Sequence, residues 1–395
     1  MKKKTWPKDR VKRPGAAWKR LFLVLTALFL SLAGAEAWLR AVHPMGALLL
    51  TSDRYQVAEN PKIGYELKPL ATDANSDGLR NRERTVDKPP SVFRILALGD
   101  SVTYGLGVER DKAWAGKLES LLNLDGPAGV TYEVLNLGVP GYGIGQIVER
   151  FKKKGLKYHP DLVIYGYWLN DIGPGFDAIE LGLLETRKNR DIFSSRPWAR
   201  WLARQATRLQ ITRRVLLLAR RFGAARKDSR LENAGTPRLL DLMGPEILGA
   251  WRVFSGEYAR TGFHATRSLD PLFRHYAELP TFVPWNARMR ELAGQCQDLG
   301  LPCVLLLTPV FLDAAPGGYP LQALNDFILQ VAEINGMQSL DETGPLLEAG
   351  SRAVRPGDRI HPSEAGHAII ARDLARDLRN SGLLEPPATP STPGG

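Results

Sequence analysis

Short apolar runs alternate with longer amphipathic stretches from Val92 onwards, and this alternation constrains the fold more than any other feature of the sequence. Near-continuous apolar runs separated by helical segments are typical of a parallel sheet that is covered on both faces. The predicted strands are Phe93–Gly99, Tyr132–Leu137, Leu162–Trp168, Cys303–Thr308 and Met337–Leu340. Helices are expected near residues 112–124, 144–155, 286–298, 321–334 and 363–380. We therefore expect an α/β fold with about five parallel strands.

The segments around these strands divide the chain further. About 110 residues separate the third predicted strand from the fourth, which is far more than a connection within a compact domain normally needs. We therefore expect a basic helical insertion or lid that splits the α/β core into two parts. The predicted divisions are a basic cytoplasmic leader (1–20), a transmembrane anchor or signal peptide (21–41), an irregular collar (42–91), the first part of the core (92–172), the insertion (173–283), the second part of the core (284–383) and a disordered tail (384–395).

The first forty residues have the pattern of an export or membrane-targeting segment. Residues 1–20 contain nine Lys or Arg residues and one acid, and the following stretch to Ala35 contains no charge. Because a basic flank stays in the cytoplasm, we expect the main body of the chain outside the inner membrane, in the periplasm. Small residues at 33–35 fit a cleavage site, whereas Trp18 and Trp38, about 30 Å apart along a helix, fit interfacial anchors. We favour a single-pass anchor; cleavage, which would give a secreted protein, remains the alternative.

The net charge of +11 is concentrated in two short segments. Residues 1–20 carry +8 and residues 187–230 carry +12, which leaves −9 for the remainder. An acidic main body does not offer the broad basic face that nucleic-acid binding requires, so we expect no nucleic-acid partner. Two cysteines without a CxxC pair are too few for a four-cysteine or three-cysteine zinc site. We expect neither a metal nor a cofactor.

Arginines recur every four residues from Arg196 to Arg208, which predicts a cationic stripe along one helix face. Three interpretations stay open: a solvated helix face, an interfacial helix on anionic lipid, or a groove for an acidic polysaccharide. The second of these would add a membrane contact to that of the N-terminal helix.

Polar residues follow each of the first three predicted strands. The first strand leads into Gly99-Asp100-Ser101, the second into Asn136 to Gly141, and the third into Asn170-Asp171. The carboxyl ends of parallel strands form the binding crevice of such a sheet, so these turns are expected at one edge. Asp358 and His361 precede the last predicted helix and can meet if the loop between them curls.

These residue types fit nucleophilic catalysis. A serine hydroxyl becomes a good nucleophile when a base takes its proton, and the base needs an acid that orients it. Ser101, His361 and Asp358 can fill these three roles. The backbone amides of Ser101 and Gly141 and the side-chain amide of Asn170 are candidates for an oxyanion hole. Asp100 and Asp171 are expected to support the turns by hydrogen bonds.

In these four blocks the chain resembles the SGNH or GDSL hydrolases, which carry Ser, Gly, Asn and His in this order. The matching segments are Ile95–Ser101, Asn136–Gly141, Asn170-Asp171 and Asp358–His361. The resemblance implies a flavodoxin-like three-layer α/β/α core and ester hydrolysis without a metal. The arrangement of anchor, collar and core is also similar to membrane-anchored bacterial members and, more distantly, to alginate O-acetyltransferases. One departure is Trp168, which stands where the family's third block has glycine and is expected to reshape the edge of the site.

The sequence thus predicts a serine esterase that cleaves an acyl ester, with an O-acetyl group on a cell-envelope glycan or lipid as the candidate substrate. Two alternatives remain: an O-acyltransferase that uses the same acyl-enzyme, and a non-catalytic envelope-binding or assembly protein. Cys296 and Cys303 are expected either as a disulfide or as free buried thiols. The remaining histidines are expected in surface or helix-capping positions; they are His43, His159, His264, His275 and His367.

Overall fold

The computed structural model describes residues 15–42, 54–60, 62–173, 240, 242–261, 270–312 and 318–384. The chain divides into two compact units, which we describe separately. The first comprises Met1–Leu48 and Glu185–Arg221, and the second comprises Leu49–Leu184 and Phe222–Gly395. The predicted basic stripe from Arg196 to Arg208 lies outside the described residues, as do His43, His264 and the tail from 385 onwards.

The described part of the first unit is one long helix, α1 (Gly15–Val42). Its stretch from Trp18 to Trp38 is 21 residues long and apolar enough to cross a membrane or to serve as a signal sequence. Large apolar side chains such as Phe22 and Phe29 are exposed along it. An exposed apolar helix of this length fits a hydrocarbon environment better than water.

The predicted collar contains a small sheet that the sequence analysis did not predict. Strands β1 (Tyr55–Val57) and β2 (Tyr65–Leu67) pair antiparallel, with Tyr55 opposite Leu67. Each strand has three residues, which is too short for an alternation of apolar and polar residues to be recognised. Outside these two strands, the described residues of the collar lie mainly in turns and bends.

The second unit contains the expected five-stranded parallel sheet. Its strands are β3 (Val92–Gly99), β4 (Thr131–Asn136), β5 (Leu162–Tyr167), β6 (Cys303–Leu307) and β7 (Gln338–Asp341). They are ordered β4-β3-β5-β6-β7, which is the flavodoxin-like order. The sheet confirms the predicted fold class, and each strand lies within two residues of its predicted bounds. The order in which strands are added to the sheet reverses at β3 and β5, because β4 lies beside β3 on one side and β5 on the other. A binding crevice is expected at this point.

Helices cover both faces of this sheet. Those described in the second unit are α2 (Ser101–Tyr104), α3 (Trp114–Leu124), α4 (Ile144–Arg150), α5 (Pro245–Thr261), α6 (Asp270–Ala277), α7 (Leu279–Asp298), α8 (Gln322–Ile334), α9 (Thr343–Ala349) and α10 (Glu364–Asn380). Alternate residues of β3 point to opposite faces. Ile95 packs in a core cluster with Leu118 of α3 and Leu374 of α10. Leu96 instead lies beside Gly155, which follows α4, and α4 packs against α7. Because successive side chains of a strand point to opposite faces, the sheet is covered by helices on both sides, which gives three layers.

The described end of the predicted insertion is helical, as expected. Helices α5 and α6 lie there, and α7 begins at Leu279, seven residues before its predicted start. Pro280 lies in the first turn of this helix and Pro284 lies inside it. Pro280 is accommodated because the first N–H groups of a helix have no intrahelical acceptor.

Candidate active site

Ser101 lies at the carboxyl end of the central strand β3, on the first residue of α2. The turn is made by Gly99 with φ +153°, where a Cβ atom would lie 2.2 Å from Thr103 Oγ1. Asp100 then caps the helix, since its Oδ1 accepts a hydrogen bond from the backbone N–H of Val102 at 2.8 Å. The serine is thereby held at the carboxyl ends of the strands, at the point where the strand order reverses.

The three predicted catalytic residues form one hydrogen-bonded chain. His361 Nε2 lies 3.0 Å from Ser101 Oγ, and His361 Nδ1 lies 2.7 Å from Asp358 Oδ2. The side chains of His361 and Asp358 are 15% and 22% exposed. Both distances suit hydrogen bonds in a nucleophile, base and orienting-acid arrangement. The structure therefore brings together residues that are 260 positions apart in the chain.

Asp358 is fixed by its own loop. Its Oδ1 accepts hydrogen bonds from the backbone N–H groups of Arg359 at 2.7 Å and Ile360 at 2.8 Å. Partial burial acts to raise the pKa of Asp358, but the hydrogen bonds from the His361 ring and from this loop outweigh it. The pKa therefore lies below its ordinary value, and the carboxylate stays ionised beside the imidazole.

The loop that carries His361 is pinned on both sides. The N–H of Arg355 donates to the carbonyl oxygen of His361 at 3.1 Å, and that of Ser363 donates to Ala353 at 2.8 Å. Ser363 also caps α10 through its side chain. A histidine held by backbone contacts just before a long helix has little freedom to leave the serine.

Asn170 and Gly141, the other oxyanion candidates, lie on the loops after β5 and β4. The Asn170 side chain lies close enough to the carboxylate of Asp100, the neighbour of Ser101, to lower the pKa of that carboxyl against the effect of burial. Gly141 adopts φ +82° and is buried. Its loop is anchored to α2 by Asn136, whose Nδ2 donates to the Thr103 carbonyl oxygen at 2.8 Å. Among the described residues, no hydrogen bond joins Gly141 to Ser101 or Asn170, so its oxyanion role stays a prediction.

Asp100 and Asp171 are buried carboxyl groups that support these turns, as predicted. Asp171 Oδ2 accepts a hydrogen bond from the Tyr165 hydroxyl at 2.7 Å. Burial raises the pKa of Asp171 well above its ordinary value, and the nearby Asp100 raises it further. Burial also raises the pKa of Asp100, against the opposing hydrogen bonds from Val102 and Asn170. Asp100 Oδ2 lies 3.3 Å from Ser101 Oγ, so it is a second, weaker partner of the serine hydroxyl.

The sequence analysis missed the residues that hold the β4 to α4 loop from outside the four blocks. Arg150 is buried, and its Nε donates to the Leu137 carbonyl oxygen at 3.0 Å. Tyr65, in the collar, donates its hydroxyl to the Pro140 carbonyl oxygen at 2.5 Å. The predicted edge residue Trp168 is 7% exposed, so it is largely buried beside the site loop. The sequence offered no signal for these contacts, because each joins segments that are distant or irregular.

The remaining histidines and cysteines occupy structural positions. His367 is fully buried, and its Nδ1 accepts the N–H of Trp114 at the start of α3, which confirms a capping role. His159 and His275 are exposed, as expected. Cys296 and Cys303 are free and buried, which agrees with the second of the two predicted states.

No protein-family model and no curated protein matches the chain. Several solved structures do, over nearly three quarters of its length. An acetylxylan esterase from Geobacillus stearothermophilus is 15% identical over 72% of this chain and 94% of its own, with a TM-score of 0.39. A lipase/acylhydrolase from Enterococcus faecalis is 13% identical over 73% and 96%, with a TM-score of 0.37. The psychrotrophic esterase EstA from Pseudoalteromonas sp. is 11% identical over 73% and 97%, with a TM-score of 0.37.

Proposed function

We propose that this chain is a serine esterase of the SGNH or GDSL type that cleaves an acyl ester through an acyl-enzyme. The observation that carries the proposal is the hydrogen-bonded chain from Ser101 Oγ through the His361 ring to Asp358, at the carboxyl edge of a parallel sheet. The other blocks surround it: Asn170 contacts Asp100, and the Gly141 loop is bonded to α2. A purely structural role would not require an ionised acid, an imidazole and a hydroxyl to be hydrogen-bonded one after another.

The reaction follows from these positions. Ser101 Oγ attacks the ester carbonyl carbon while His361 Nε2 takes its proton, and Asp358 stabilises the resulting imidazolium. The tetrahedral oxyanion is held by the backbone N–H groups of Ser101 and Gly141 and by Asn170 Nδ2. An amide nitrogen carries two hydrogens, so Asn170 Nδ2 can turn one toward Asp100 and donate the other to the oxyanion. His361 returns the proton to the leaving alcohol, and water then releases the acid by the same steps.

The proposed substrate is an O-acyl group, such as an O-acetyl, on a cell-envelope glycan or lipid. The support is the apolar N-terminal helix α1 and its basic flank, which would hold the catalytic unit at the outer face of the inner membrane. A sugar hydroxyl in place of water would give acyl transfer from the same intermediate, so product analysis must accompany any rate measurement.

The test is p-nitrophenyl acetate hydrolysis by the full chain in detergent, with Ser101→Ala and His361→Ala. We expect both variants to lose about 1,000-fold or more of kcat/KM, as triad members do. His275→Ala serves as the matched control, because His275 is exposed and lies on α6, away from the triad. Equal rates for wild type and Ser101→Ala would overturn the proposal. Liquid chromatography with a sugar acceptor present would separate hydrolysis from transfer.

A further inference from the structure

The collar is fastened to the loop between β4 and α4, which carries Gly141. The Tyr65 hydroxyl donates to the Pro140 carbonyl oxygen at 2.5 Å. Gln146 Nε2 donates to the Ile63 carbonyl oxygen at 2.7 Å, and the Tyr142 hydroxyl donates to the carbonyl oxygen of Tyr65. These contacts link residues 75 or more positions apart. A segment outside the α/β core is therefore hydrogen-bonded to a site loop at several points.

The bond to Pro140 bears directly on the N–H of Gly141. The carbonyl of Pro140 and the N–H of Gly141 belong to one peptide group, which is planar and, like every peptide bond described, not cis. In a trans peptide these two groups point in opposite directions. A hydrogen bond that fixes the carbonyl therefore also fixes the direction of the N–H.

We propose that Tyr65 is a positioning residue that aims the Gly141 N–H at the oxyanion. The inference rests on the proposed function, because it assigns the collar a part in that same site. Tyr65 contacts the carbonyl side of the peptide and the oxyanion contacts the N–H side, so the tyrosine acts without touching the substrate. Within the described part of the chain, the Gly141 N–H donates to no protein acceptor, which leaves it available for a ligand.

The Tyr65 side chain is held firmly enough for this task. It is fully buried, and its ring makes edge-to-face contacts with Tyr142 at 5.1 Å and Tyr55 at 5.8 Å between centroids. Such ring pairs stabilise the side chain beyond the burial of its area. Arg150 holds the other end of the loop through Leu137. The Pro140 carbonyl oxygen thus accepts its hydrogen bond from a donor whose position is fixed by packing.

The test compares Tyr65→Phe with Tyr158→Phe. Tyr158 is also buried and also joins the core to the collar, since its hydroxyl donates to Asp77 Oδ2 at 2.5 Å. Among the described residues, its side chain makes no hydrogen bond to a site loop. Both changes remove one hydroxyl and keep the ring, so their effects on folding are matched. The readout is the rate at which a fluorophosphonate labels Ser101, because the phosphonyl oxygen needs the same N–H donors and no natural substrate.

We expect Tyr65→Phe to slow labelling about 10- to 100-fold and to lower kcat for p-nitrophenyl acetate by a similar factor, short of the loss of a whole donor. KM should stay within about twofold, and Tyr158→Phe should stay within about twofold throughout. Equal labelling of the two variants, or a change in KM alone, would overturn the positioning role while leaving the esterase proposal intact. Absence of labelling in wild type, or unchanged hydrolysis in Ser101→Ala, would instead overturn the esterase proposal and this one with it.

Discussion

Two histidines six positions apart show how burial decides what a side chain can do. His361 is partly exposed and hydrogen-bonded at both ring nitrogens, to Ser101 and to Asp358. His367 is fully buried on α10, and its Nδ1 accepts the N–H of Trp114. An acceptor nitrogen must be unprotonated, so the His367 ring is neutral. Burial, followed by the charges of Arg80 and Lys117, lowers the pKa of His367 to about 3.

The buried neutral ring of His367 predicts acid sensitivity. Unfolded chains bind a proton at this histidine below its ordinary pKa of 6.5, whereas the folded protein does so only near pH 3. The contribution of His367 to the free energy of unfolding should therefore fall as pH drops through this window, by up to about 1.4 kcal/mol per pH unit. Between about pH 7.5 and about pH 5 this amounts to about 2 kcal/mol.

Urea unfolding of the full chain in non-ionic detergent, followed by tryptophan fluorescence, measures this dependence. In His367→Gln the amide oxygen can still accept the Trp114 N–H but cannot titrate, so the part of the pH dependence that His367 contributes should be lost. His275→Gln, at an exposed site, should keep the wild-type dependence. A His367→Gln protein with the wild-type slope would contradict the prediction.

At the scale of elements, the site depends on how closely the loops after β3, β4 and β5 pack together at one edge of the sheet. Helix α2 carries Ser101, and the loop after β4 lies so close to it that a Cβ atom on Gly138 would be 2.4 Å from the Tyr104 nitrogen. That atom belongs to the backbone and cannot rotate away. The Gly141 loop therefore approaches α2 this closely only because position 138 has no side chain.

Gly138→Ala should separate the two loops. Overpacking of this kind is expected to lower the free energy of unfolding by about 1 to 3 kcal/mol, and fluorophosphonate labelling of Ser101 should slow at the same time. The matched control is Gly145→Ala, because Gly145 lies on α4 with no heavy atom within 4 Å of the added Cβ. It should be neutral or stabilising by up to about 1 kcal/mol. Thermal unfolding and labelling that do not distinguish the two variants would refute this account of the contact.

At the scale of the whole molecule, the chain carries both a helix that is long and apolar enough to cross a membrane and the α/β unit with the proposed active site. Helix α1 exposes large apolar side chains along its length, and no charge interrupts the sequence from Leu21 to Ala35. The basic leader before it predicts the orientation, because Lys and Arg residues stay on the cytoplasmic side. An anchored enzyme would act on substrates within reach of the membrane surface.

The anchor predicts that the full chain remains in carbonate-washed membranes and is released only by detergent. Intact-mass measurement of the extracted protein should show the N-terminal residues still attached. A mature chain that starts at Glu36 would show cleavage after Ala35 and a secreted enzyme instead. A variant with Leu25→Arg and Leu28→Arg should leave the membrane fraction, since each charge opposes insertion by about 2.5 to 3.5 kcal/mol.

The local patterns of the sequence were sufficient to predict the five strands of the parallel sheet and to select the candidate catalytic residues. Strand β5 was recognisable because a strand covered on both faces must be apolar throughout. Ser101 and Asn170 were recognisable because strand ends in a parallel sheet carry the site. The ribbon of β1 and β2 escaped recognition, because three-residue strands show no periodicity.

The sequence by itself therefore determined the fold class, the strands and the identity of the candidate triad. Only the tertiary structure decided the strand order, the 3.0 Å approach of His361 to Ser101, and the contact of Tyr65 with Pro140. The physical reason is that periodicity records whether a residue is buried, which is a local requirement. Which distant residue it meets depends on how all the elements pack at once, and no single segment carries that information.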